Sequence, residues 1–116
     1  MGVRVVTTVL FKVNSAMCGI AGLLYTDRHR PAMASTLRRM GDAIAHRGPD
    51  GEGLFHVRNV GLVHRRLAII DLVSGDQPIA NEDETIQVVF NGEIYNYREL
   101  REQLISRGHQ FRTQSD

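Results

Sequence analysis

Met17-Cys18-Gly19-Ile20-Ala21-Gly22 holds the only cysteine of the 116-residue chain. A lone cysteine is commonly a small buried hydrophobe. It becomes a nucleophile candidate only with partners elsewhere in the sequence. The preceding methionine changes that balance. If translation starts at Met17 and that residue is removed, Cys18 carries both a thiol and an α-amine. Their reference pKa values are about 8.5 and about 7.7–8.0, so the amine is a base of suitable strength for its own thiol. Gly19 to Tyr25 is a short apolar run closed by Thr26-Asp27-Arg28, which predicts a buried strand starting at the candidate nucleophile.

Three readings compete for Met1 to Ala16, where Val3, Val5, Val6, Val9, Leu10, Phe11 and Val13 form a β-branched, apolar stretch. A secretory signal is one, but Lys12 interrupts its centre and only Arg4 supplies the basic start. A removable propeptide is the second. A start placed too far upstream, with Met17 the true first residue, is the third and preferred reading. An extra edge strand is the plain structural alternative, and it would leave Cys18 without a free amine.

Downstream, Met33, Leu37, Met40 and Ile44 recur at helical spacing, with Pro31 as an early helix residue. They predict a helix over roughly Pro31–Ala45. His46-Arg47-Gly48-Pro49-Asp50-Gly51-Glu52-Gly53 then marks a tight loop. It lacks the Gly-Lys-Ser/Thr ending of a phosphate loop. Either it is a plain connection with a solvated Arg47, or its glycines let backbone shape a pocket beside Cys18. Leu54–Val57 and Val60–Arg66 read as paired strands, with turn chemistry at Asn59 and a bulge at Gly61. Adjacent Arg65 and Arg66 point to opposite faces. An inward one suits a carboxylate. His64 reads as a satisfied structural histidine.

Ala68 to Leu72 is apolar apart from Asp71, and Ser74-Gly75-Asp76-Gln77-Pro78 forms a second loop. Asn81-Glu82-Asp83-Glu84 reads as a solvated acidic turn without the further oxygen ligands a metal needs. Ile86–Phe90 predicts a strand that delivers Asn91-Gly92. An Asn amide and a Gly N–H at a strand end can converge on a developing oxyanion. Glu93 beside them suits an ammonium. Leu100, Leu104 and Ile105 give a helix over Arg98–Arg107 capped by Asn96. Gln110-Phe111-Arg112-Thr113 resembles a short strand.

Composition sets bounds. Hydrophobic residues make up 42%, charged residues 23%, and the formal net charge is +1. That charge gives no electrostatic case for nucleic acid or an anionic membrane surface. No run approaches a membrane span. One cysteine allows no internal disulfide, in keeping with a reducing cytoplasm.

Five ordered motifs carry a resemblance: Met17-Cys18-Gly19-Ile20-Ala21-Gly22, His46-Arg47-Gly48-Pro49-Asp50-Gly51, His64 to Asp71, Phe90-Asn91-Gly92-Glu93-Ile94-Tyr95-Asn96-Tyr97 and Thr113-Gln114-Ser115-Asp116. They resemble the amidotransferase domain of glutamine-hydrolysing asparagine synthetases, a branch of the class II glutamine amidotransferases. The resemblance implies an α/β (α+β) N-terminal-nucleophile fold: a four-layer αββα sandwich with largely antiparallel sheets, incomplete at its C-terminus. It divides the chain into an extension, residues 1–17, and the N-terminal part of an amidotransferase domain, residues 18–116. A synthetase domain is absent, so the chain reads as a fragment of a longer product.

The same resemblance assigns roles. Cys18 attacks the side-chain amide of glutamine. Asn91 and Gly92 form the oxyanion hole, Arg66 binds the α-carboxylate, and Glu93 and Asp116 face the α-ammonium. The implied function is the glutaminase half of an asparagine synthetase, a cytoplasmic ligase that feeds ammonia to ATP-dependent amidation of aspartate. No cofactor or metal is expected in this segment; ATP and Mg belong to the absent synthetase domain. Glutamine is the substrate, and the C-terminal synthetase domain and a second copy in a homodimer are the partners it allows. Two alternatives stay open: another ammonia acceptor, or an inactive truncated piece acting as a binding module.

Overall fold

A computed structural model describes residues 18–67 and 76–116, and the backbone of residues 4–5. Outside the described residues lie most of the Met1–Ala16 readings and the piece from Ala68 to Gly75. The backbone at Arg4–Val5 forms a two-residue strand, β1, paired in parallel with residues 86–87.

The central unit is a three-stranded antiparallel sheet. β2 (Gly19–Leu24) and β3 (Gly51–Val57) flank β4 (Val60–Arg66) in the order β2-β4-β3. β4 is the most buried strand of this sheet because it alone of the three has neighbours on both edges. β3 and β4 form a hairpin with Val57 opposite Val60, so only Arg58 and Asn59 turn. Arg58 takes φ 49°, as such tight turns require. Asn59 ties in the third strand. Its Nδ2 donates to the Tyr25 carbonyl at 2.6 Å, and the Tyr25 N–H donates back to the Asn59 carbonyl at 2.9 Å. β3 begins three residues earlier than expected, since Gly51 and Gly53 pair with Arg66 and His64 despite their weak strand preference.

The alternation of β4 fixes its two faces. Gly61, Val63 and Arg65 face the helix α1 (Ala34–Ala43). Gly61 is not a bulge; its pairing is regular on both sides. A Cβ there would lie 2.6 Å from the Leu37 side chain, which is fully buried. Burying such a leucine stabilises by roughly 1.5–3 kcal/mol. Arg65 Nε donates to the Gly41 carbonyl at 3.0 Å, and its guanidinium pairs with Asp42 at 2.8 Å and Glu52 at 2.9 Å. Arg65 is thus a tie between strand and helix rather than a solvated side chain.

α1 starts later than its apolar spacing suggests. Ala32 donates its N–H to the Arg58 carbonyl at 2.6 Å, which keeps Pro31 to Met33 out of the helix. Met33 is the extended cap residue and is exposed; Leu37 and Gly41 form the buried stripe.

β5 (Ile79–Ala80) and β6 (Ile86–Val88) are antiparallel and make a second sheet, ordered β1-β6-β5. Gln87 and Val89 are buried while Ile86 and Val88 are exposed, so one face of β6 turns inward. The outer face meets a groove of about 380 Å³ lined by Ile86, Val88, Leu104 and Phe111 among others. α2 (Tyr97–Ser106) contributes Leu104 from across that groove. α1 packs on the first sheet and α2 faces the second across the groove, a mixed α/β arrangement with largely antiparallel sheets consistent with the fold expected. The apolar stripe of α2 is only partly covered, with Leu100 and Ile105 exposed. Asn96 caps it by position, without a side-chain hydrogen bond. Residues 110–113 form no strand. The acidic turn instead holds this segment: Glu82 accepts from the Gln110 N–H at 3.2 Å and pairs with His109 at 2.8 Å.

Among the described residues no helix is long and apolar enough to cross a membrane.

Candidate active site

Cys18 directly precedes β2, where Gly19 pairs with Arg65. The register continues to place Cys18 opposite Arg66, on the face turned away from α1. The sulfur is half-buried and accepts the Leu67 N–H at 3.2 Å, while its thiol donates to the Leu67 carbonyl at 3.6 Å. Arg66 is buried, and its guanidinium pairs with Asp76 at 2.8 Å. The Asp76 side chain is 84% exposed, so this pair sits with its cation covered and its anion in solvent.

The glycine loop closes against the same strand end. A Cβ on Gly48 would collide with the Arg65 backbone, and the Asp50 N–H donates to the Arg66 carbonyl at 2.9 Å. Gly19 is pressed on Ile44 and Arg47 from the loop's start. Arg47 itself is exposed. The loop is therefore a connection with an exposed arginine, and its backbone abuts the strand end next to Cys18.

Asn91 is half-buried, and Gly92 and Glu93 are exposed. The Phe90 ring lies so close to Gly92 that a Cβ there would approach within 2.7 Å. Asp116 Oδ2 accepts the Ile94 N–H at 2.7 Å. Glu93 and Asp116 line one cavity of about 180 Å³, together with Ile94, Tyr95, Tyr97 and Gln114. The structure thus brings together Cys18 with Arg66, and Glu93 with Asp116. Cys18, Arg66 and Asn91 are not among the residues lining that cavity. Asn91-Gly92 stands in the chain between the two groups.

The glutamine amidotransferase domain family matches residues 17–116, from the Met-Cys pair to the last residue. The chain belongs to this family. It is 47% identical over 104 residues to glutamine-hydrolyzing asparagine synthetase 1 of Bacillus subtilis (strain 168), covering 86% of this chain and 16% of that protein. Against glutamine-hydrolyzing asparagine synthetase 3 of Arabidopsis thaliana it is 50% identical over 100 residues, 86% of this chain and 17% of the relative. Against the glutamine-hydrolyzing asparagine synthetase of Sandersonia aurantiaca it is 50% identical over 100 residues, with 86% and 19% covered. The chain spans less than a fifth of the length of these relatives.

Two features of this amidotransferase domain escaped the sequence reading. His64 is buried as expected, but it is not satisfied: Nε2 has no hydrogen-bond partner among the described residues. Burial first, and the neighbouring Arg66 charge second, hold its pKa below 6.5, against an opposing pull from Asp76. The second is the Asp76-Gln77 pair, read only as loop. Asp76 meets Arg66, and the Gln77 amide bonds both backbone groups of Phe90. A carboxylate and an amide on consecutive residues beside a proline were the available signal.

Proposed function

We propose that Cys18 hydrolyses glutamine to glutamate and ammonia, as the glutaminase half of an asparagine synthetase. The observation that carries this reading is the placement of the Cys18 sulfur on the Leu67 amide, one residue from the buried Arg66. The family match and the printed names of the relatives support it.

The residues present fit each group of the substrate. Arg66 takes the α-carboxylate with its planar fork. Glu93 and Asp116 take the α-ammonium. With the ends held, the amide carbon meets the sulfur in an orientation that lowers the entropic part of the barrier. The thiol proton passes to the α-amine of Cys18, and the sulfur bonds to the amide carbon. The carbonyl π electrons move onto oxygen, where the Asn91 side chain and the Gly92 N–H donate to the resulting oxyanion. As the C–N bond breaks, the ammonium of Cys18 returns the proton to the departing nitrogen, which leaves as ammonia. Water then attacks the thioester, giving its proton to the same amine. Glutamate is released and the thiol is regenerated.

Amidation of an acceptor carboxylate, aspartate in this reading, uses ATP and Mg²⁺, which we assign to a synthetase domain of the full-length protein. No step above passes through them. Among the described residues no group of three or more His, Cys, Asp or Glu side chains is arranged to hold a metal ion. A cytoplasmic location fits the single cysteine.

The test is glutamine hydrolysis by the full-length protein beginning at Cys18, followed as glutamate formation, against its Cys18→Ser variant. Loss of nearly all turnover in the variant is expected, since a hydroxyl is a far weaker nucleophile near neutral pH. Equal turnover by the two proteins overturns the assignment.

A further inference from the structure

Gln77 sits where three parts of the domain meet. Its backbone carbonyl is packed directly against Gly53 of β3, where any Cβ would collide with it. Its side chain reaches across to the strand that leaves β6. Nε2 donates to the Phe90 carbonyl at 3.0 Å, and Oε1 accepts the Phe90 N–H at 2.5 Å. One amide thereby satisfies both backbone groups of one residue, as a neighbouring strand would. Phe90 has left the sheet ladder at this point, since β6 ends at Val88. Without Gln77 its half-buried backbone would depend on water for both bonds.

Phe90 directly precedes Asn91, and its ring packs over Gly92. The two donors assigned to the oxyanion are therefore held through one residue. Its backbone is clamped by Gln77, and its side chain rests on the backbone of Gly92. The clamp is anchored at the other end to β3, whose Gly53 pairs with His64 on the strand that carries Arg66. Oxyanion donors act only when they point at the position the charge will occupy, so their aim depends on what fixes the preceding backbone.

We propose that Gln77 is a positioning residue for glutamine hydrolysis, whose side-chain amide sets the aim of the Asn91 side chain and the Gly92 N–H. The inference rests on the glutaminase reading above. It acts through Phe90 and touches no reacting atom. A misaligned donor affects the charged transition state more than the bound ground state, so the effect falls on kcat rather than on KM.

The experiment uses the full-length protein with Cys18 at its N-terminus, and the variants Gln77→Met, Asn91→Ala and the double substitution. Gln77→Met keeps the length of the side chain and removes both bonds. Its kcat for glutamine falls about 10–100-fold with KM changed by less than about threefold, a loss of the size that a small misplacement causes. Amide hydrogen exchange at Phe90 accelerates in the same variant. In the Asn91→Ala background the same substitution costs less than in the parent, because one of the two donors it aims is already gone and only the Gly92 N–H remains. Should Gln77→Met not fold, Gln77→Glu is read in the same way, since it keeps the acceptor for the Phe90 N–H and loses the donor. If the parent protein does not hydrolyse glutamine, the glutaminase reading fails and takes this inference with it. If the parent is active, parental kcat in Gln77→Met, unchanged exchange at Phe90, or a full additional loss in the Asn91→Ala background overturns the positioning role alone.

Discussion

The Leu67 N–H donates to the Cys18 sulfur at 3.2 Å, and Leu67 follows Arg66 directly in the chain. The Cys18 sulfur and the buried Arg66 are therefore held at neighbouring residues of one strand end. In the proposed reaction a substrate held by Arg66 has little freedom relative to the sulfur.

Arg66 is paired with Asp76. In the proposed reaction the α-carboxylate of glutamine competes with that side chain for the guanidinium. Asp76→Asn removes the competitor and lowers KM for glutamine by roughly twofold to fivefold, the small effect expected of a pair with one solvent-exposed partner. Steady-state kinetics at fixed ionic strength checks this. An increase in KM would mean that Asp76 helps to orient Arg66 for the substrate.

Asn91→Ala removes the side-chain member of the oxyanion pair. A loss of about 2.7–4 kcal/mol in transition-state stabilisation is expected, read as kcat/KM for glutamine. The Gly92 N–H remains, so activity is reduced rather than abolished.

Gly61 and Leu37 define the contact between β4 and α1. Gly61→Ala places a methyl group 2.6 Å from a side chain that has no exposed surface to move into. A destabilisation of about 1–3 kcal/mol follows from overpacking. Urea unfolding of the full-length protein measures it, and Gly61→Ala with parental stability would show that α1 can shift outward at no cost.

Burial and the Arg66 charge hold His64 below its ordinary pKa of 6.5 in the folded chain. As pH falls below about 6.5 the unfolded chain takes up this proton first, so stability declines with falling pH through that window. The decline levels off below the depressed folded value. His64→Gln abolishes this component, and thermal unfolding between pH 7.5 and 5 compares the two proteins. An equal slope in both would assign the pH dependence to other groups.

Much of this architecture could be read from local pattern. β4 matches its expected span from Val60 to Arg66, because alternation and the Asn59 turn specify it jointly. Arg65 and Arg66 separate to opposite faces for the same reason. What could not be read depends on distant contacts. Gly61 reads as a bulge until Leu37 is placed over it. Val89 and Phe90 continue the strand pattern, but the Gln77 side chain takes the Phe90 backbone groups that a ladder would have used. In the site, Cys18, Arg66 and Asn91 were legible as candidates because the groups of glutamine call for a nucleophile, a cation and a donor. Gln77 was not, because it binds only backbone, thirteen residues away.

The most direct measurement concerns the first residue. The described residues place no histidine on the Cys18 sulfur, whose hydrogen bonds both go to the Leu67 backbone. The base in this mechanism is the α-amine of Cys18, which exists only when Cys18 is the N-terminus. Glutamine hydrolysis should therefore be measured for two forms of the full-length protein, one beginning at Cys18 and one retaining Met1 to Met17, with both N-termini established by mass spectrometry. The form beginning at Cys18 is predicted to hydrolyse glutamine and the extended form to be inactive until processed. Full turnover by a protein whose first residue is confirmed as Met1 would contradict the amine-as-base mechanism.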